Sequence, residues 1–162
     1  MTKRVFAAIC GALIVLTVAF TLPRGQAAAV GADNVITSAG AGVFPAGASV
    51  LGIELAGGTF GVGAQTSSTG AAIGTLEIQY NGTSLIGLSQ WLTVNGWITS
   101  ATANPDGTVT LNGTGTLDMG DGTPPTGGLA LVATLGPTGI AVSIGGTTFP
   151  TLPKSDGWVF VE

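Results

Sequence analysis

The stretch from Thr93 to Gly146 constrains the fold more than any other part of the chain. Leu129, Leu131, Ala133 and Leu135 alternate with smaller or less apolar neighbours, and Ile140, Val142 and Ile144 repeat the pattern. A period of two turns one face of a strand toward a core and the other away from it. Asn104-Pro105-Asp106-Gly107 and Gly136-Pro137-Thr138-Gly139 cut the pattern with residues suited to tight reversals. The expected elements are strands over Thr93–Ala103, Thr108–Met119, Leu129–Leu135 and Gly139–Gly145, joined as an antiparallel sheet.

Upstream the same reading continues. Val35–Ser38 is a first short strand. Ser49–Leu55 alternates, Gly57-Gly58 reads as a turn, and Phe60, Val62 and Ala64 share a face. Leu76, Ile78 and Tyr80 lie opposite Glu77 and Gln79, and Asn81-Gly82 is the strongest short hairpin signal in the chain. From Trp91 to Ile98 the apolar phase shifts across Gly96, which suggests a bulge. Trp158–Val161 is apolar on both faces and reads as a strand inside the sheet. No window after Ala29 carries a helical apolar stripe free of glycine. Roughly ten strands at short spacing imply an all-β fold, either an antiparallel β-sandwich or a closed β-barrel.

The amino terminus has a different character. Lys3 and Arg4 precede the apolar run Val5–Leu22, Pro23 to Gln26 break it, and Ala27-Ala28-Ala29 offer small residues before a cut. This is the layout of a secretory signal peptide, a leader helix over residues 1–29 cleaved after Ala29, followed by one domain over 30–162. A retained anchor is the alternative, since the run approaches the length that spans a bilayer. Cys10 is the one cysteine and lies within the apolar run, so the processed domain would hold no thiol and no disulfide.

Charge narrows the partners. Charged residues are 7% of the chain, and three of the four Lys and Arg residues precede residue 25. Processing would leave Lys154 against eight carboxylates. Such a surface has no electrostatic hold on nucleic acid. It has none on an anionic membrane either, so no membrane partner is expected after cleavage. An outer-membrane barrel fits poorly, because the outward strand faces are weakly apolar.

The run Thr108-Val109-Thr110-Leu111-Asn112-Gly113-Thr114-Gly115-Thr116-Leu117, followed by an apolar strand, a glycine turn and Ile140–Ile144, resembles small secreted bacterial β-modules of the post-COAP type. The resemblance covers about a third of the chain. It implies a single long strand through Gly113–Thr116 and brings no assigned activity. The loop Met119–Gly127, with Pro124-Pro125, departs from the pattern.

Candidate chemistry is sparse. Without His, and with Cys10 in the leader, Ser–His and Cys–His machines and most transition-metal sites are ruled out. Asp118 and Asp121 flank a glycine turn and could offer oxygen ligands to Ca²⁺, or simply bond their own backbone. Lys154-Ser155-Asp156 could place a base beside a serine. Glu54 and Glu77, each in an apolar strand, could form a carboxylate pair if both faced inward, but an outward placement is the expectation. Tyr80, Trp91, Trp97 and Trp158 are the large amphipathic aromatics, able to stack on a glycan if exposed and to fill a core if not. No cofactor is expected. The functional expectation is a secreted, periplasmic or surface-bound bacterial module without catalytic activity. It would act as an envelope, matrix or adhesion component that self-associates. The alternatives are a carbohydrate or small-ligand binding barrel and, further off, an Asp/Glu-dependent hydrolase.

Overall fold

The computed structural model describes residues 34–161, and every regular element in that span is a β-strand. In chain order these are β1 (Asn34–Val43), β2 (Ser49–Val50), β3 (Ile53–Thr66), β4 (Ala71–Ser84), β5 (Ser89–Ala103), β6 (Val109–Asp118), β7 (Thr126–Gly136), β8 (Gly139–Ile144), β9 (Thr147–Thr148), β10 (Leu152–Pro153) and β11 (Asp156–Val161). They form one antiparallel sheet of order β10-β8-β7-β6-β5-β4-β3-β1-β11, with β2 beside β3 and β9 beside β8. The sheet curls into a half-barrel. The leader, Cys10 and the cleavage site at Ala27 and Ala29 lie outside the described residues.

The period of two sets which face is inside. Ile36, Phe60, Val62, Leu76, Ile78, Leu92, Val94, Ile98, Leu111, Leu131, Leu135, Ile140 and Ile144 are all buried on the concave side. Each such aliphatic side chain contributes about 1.5–3 kcal/mol by leaving water. Tyr80 joins them, tilted against Phe44 and stacked on Phe149. Gly96 is also on this face, and a Cβ there would collide with Leu131 Cδ2, so the glycine makes room for a side chain from β7. Ser38 is a buried polar residue, and its hydroxyl donates to the Trp158 carbonyl at 2.8 Å.

Three hairpins share one turn design. In Ser67–Gly70, Ser84–Gly87 and Asn104–Gly107 the glycine N–H donates to the carbonyl of the first residue, at 2.9, 2.8 and 3.1 Å. The glycines stand at φ +80°, +81° and +83°, the left-handed region that a side chain disfavours. The first residue also bonds the residue after the glycine, as in Ser84 N to the Leu88 carbonyl at 2.9 Å. Asp106 adds a cap by accepting from Thr108 N at 3.0 Å.

Several local expectations change. Asn81-Gly82 is not a turn but lies inside β4, paired with Trp91 and Gln90. Gly82 is there because the Glu54 carbonyl fills the space a Cβ would need. Gly57-Gly58 lies inside β3, beside a bulge at Ala56. The expected Ser49–Leu55 strand is split by a turn at Leu51-Gly52, with φ +50° and +80°. β5 stays in register with β4 through Gly96, and the irregularity falls at Thr99 against β6. The apparent phase shift arose from treating Trp97 as a core residue, whereas it points out and Gly96 points in. β11 is a terminal strand of the sheet rather than an inserted one.

The two margins of the curled sheet approach each other through the segment around Leu152–Asp156. β10 pairs with β8, Lys154 N donates to the Thr138 carbonyl at 2.8 Å, and Ser155 N donates to the Ala41 carbonyl at 2.9 Å. β11 then runs along β1.

Candidate functional site

Strand parity puts Trp91, Trp97 and Trp158 on the convex face, with 59%, 61% and 53% of their surface exposed. Tyr80 does not join them. It is fully buried and its hydroxyl has no partner among the described residues, and desolvation pushes the phenol above its ordinary range. Of the four aromatics expected as stacking candidates, Tyr80 is thus inside the core and the three tryptophans are at the surface. The apolar alternation of Leu76, Ile78 and Tyr80 carried the signal for this burial.

The three indoles do not form one platform. Trp91 and Trp97 are six residues apart on β5, about 20 Å at a strand's rise. Trp158 is four strands away along the sheet order β5-β4-β3-β1-β11, again about 19 Å across the surface. Each therefore has its own surroundings. Trp97 is flanked across the ladder by Thr75 and Thr114, and the next row on the same face is Glu77, Asn95 and Thr116. These residues and Gly128 line a shallow polar groove of about 480 Å³. Trp158 borders a smaller depression of about 250 Å³ with Ala39, Ala41 and Asp156. Trp91 stands behind the turns of Leu51-Gly52 and Leu85–Leu88, whose groove of about 550 Å³ also includes Met119 and Asp121. That apolar rim had no sequence signal beyond the composition of the turns themselves.

The acidic candidates separate. Asp118 Oδ1 accepts from Gly120 N at 2.8 Å, while Asp121 Oδ1 accepts from Thr123 N at 2.9 Å and from its hydroxyl at 2.6 Å. Each carboxylate caps its own loop. The Thr123 hydroxyl, followed by its backbone N–H, holds Asp121 below the usual carboxylate range. Among the described residues no group of three His, Cys, Asp or Glu side chains converges as a metal site. Glu54 and Glu77 are both exposed on β3 and β4. Ser155 Oγ donates to the Ala41 carbonyl at 3.1 Å, so its hydroxyl fastens the sheet margins instead of facing Lys154 as a nucleophile would.

No family model, no curated protein and no solved structure matches this chain.

Proposed function

We propose that this chain is an exported extracytoplasmic interaction module without catalytic activity, an envelope, matrix or adhesion component that works through its outer surface. The observation that carries this reading is the display of all three tryptophans on the convex face, one of them beside a sheet margin whose outer side has no partner strand among the described residues. Exposed indoles are the usual anchors of protein interfaces, and an open strand edge pairs readily with a second chain. We read the curled sheet as a barrel drawn closed through Leu152–Asp156, which leaves β11 as the edge available to a second copy. Sedimentation velocity over a concentration range tests this. Self-association without added ligand is expected, and Trp158→Ala should weaken it. A monomer at every concentration defeats the self-association reading.

A carbohydrate-binding role is the second reading, favoured by the groove at Trp97. An indole flanked by Thr75, Thr114, Glu77 and Asn95 combines a stacking face with donors and acceptors, as a neutral sugar requires. Screening glycans for quenching or protection of tryptophan fluorescence, with Trp97→Ala as control, tests it. The acid-dependent hydrolase gains no support from Glu54 and Glu77, which both face water.

A further inference from the structure

The three matched hairpins isolate what their turns require. Each needs a small polar residue first and glycine fourth, and the two central positions are free of the backbone's demands. Those positions hold Ser68-Thr69 in one turn and Pro105-Asp106 in another, but Leu85-Ile86 in the third. Leu88 follows at once. The exposures of Leu85, Ile86 and Leu88 are 90%, 80% and 63%. Nothing in the fold of this turn calls for apolar side chains.

The neighbouring turn makes the same choice against its own backbone. Leu51 stands at φ +50°, where Asn or Gly is the favoured residue and a leucine is strained. It is nonetheless leucine, 53% exposed. The two turns touch: a Cβ on Gly52 would lie 3.4 Å from Leu85 Cδ1. Together they gather Leu51, Leu85, Ile86 and Leu88 at one turn-borne tip of the sheet, where they line the groove described above.

We propose that this tip inserts into the interfacial layer of an uncharged lipid surface. Four observations favour that occupant. Residues 49–53 and 84–92 contain no charged side chain. Trp91 is the exposed aromatic nearest behind the tip, where tryptophan favours the water–lipid boundary. The turn's backbone is partly self-satisfied, with Gly87 N donating to the Ser84 carbonyl and Leu88 N to Ser84 Oγ at 3.2 Å, which lowers the penalty for leaving water. Finally, four apolar side chains are far fewer than the roughly 20–30 residues a side that a stable protein interface engages, whereas a shallow insertion of about 5–10 Å needs no matching surface. Asp121 is the one charged side chain among the described residues lining the same groove, and it sets the limit of insertion, because a carboxylate is costly to take out of water. The charge argument from the sequence concerns Coulomb attraction to anionic lipid and does not bear on an uncharged tip.

Co-sedimentation of the full chain with phosphatidylcholine vesicles tests the proposal. Wild type should bind, tryptophan emission should shift to the blue, and brominated lipid should quench it less in Trp91→Phe. The double variant Leu85→Asp/Ile86→Asp should lose at least about tenfold in partitioning while its melting temperature and the properties of the Trp97 groove stay unchanged. Adding phosphatidylserine should not change the difference between wild type and double variant, because residues 49–53 and 84–92 carry no cation. Absence of vesicle binding overturns the proposal. So does equal binding by wild type and double variant, which a retained leader would produce. A double variant that instead abolishes self-association without lipid would assign the tip to a second copy, and that also overturns it.

Discussion

Tyr80 stacks on Phe149 with ring centroids 4.9 Å apart and planes 14° from parallel. The contact joins β4 to the segment that follows β9, two places distant along the chain that only the curl of the sheet brings together. It also explains a tyrosine whose hydroxyl bonds nothing among the described residues: the ring is held for its area and its stacking face.

Tyr80→Phe should therefore be neutral or stabilising by about 1 kcal/mol, since it removes a buried polar group without a partner and keeps the ring. Phe149→Ala should cost about 3–5 kcal/mol. Urea unfolding at neutral pH measures both. The phenol adds an alkaline signature. The folded state keeps its proton after the unfolded chain begins to lose its own near the ordinary value of 10.0, so stability falls as pH rises beyond that point. Tyr80→Phe should remove this limb of the curve.

Glycine substitutions should split into two classes. A Cβ on Gly113 would collide with the Trp97 carbonyl, a backbone atom that cannot step aside. Gly113→Ala should destabilise by about 1–3 kcal/mol or more. Gly61 and Gly63 lie on the convex face with nothing within 4 Å of an added Cβ. Alanine there should be neutral or stabilising by up to about 1 kcal/mol, because it restricts the unfolded chain. Thermal melts of the variants distinguish the classes.

Leu51 should tolerate replacement better than its apolarity suggests. Leu51→Asn relieves a left-handed leucine and should raise stability by about 1 kcal/mol. The same substitution should weaken vesicle binding, so stability and lipid affinity are expected to move in opposite directions.

Asp121 should titrate abnormally low. Its carboxylate is favoured by the Thr123 hydroxyl and then by the Thr123 backbone N–H, which holds the folded value under the ordinary 3.8. The favourable contribution is present above that ordinary value and is lost as pH falls through the lower folded one. Thr123→Val should move the titration of Asp121, followed by carboxyl NMR shifts, back toward the ordinary range.

How far the sequence discloses this structure depends on which physical signal each residue carries. Alternation identifies the buried set Leu131, Ala133, Leu135, Ile140, Val142 and Ile144, because burial on one face is local to a strand. Turns are harder to place. Asn81-Gly82 has the chemistry of a hairpin, yet Gly82 serves close packing against the Glu54 carbonyl of the neighbouring strand β3, a contact that the local sequence around residue 82 does not reveal. Trp97 has the size of a core residue but the parity of a surface one, and its parity is visible only when Gly96 is assigned to the inside. The candidate surface was legible as a list of aromatics, of which Tyr80 alone proved internal. The apolar tip was not legible, because its meaning comes from three turns of equal geometry seen side by side.

The bridge between the sheet margins also bears on the order of assembly. β1 finds β3 soon after both have emerged, but its other side waits for β11, and Ser38 meets the Trp158 carbonyl across 120 residues of chain. A chain made from its amino terminus therefore cannot lock β1 on both sides until nearly all of it has emerged, so the final cooperative closure of the sheet belongs to its last strand.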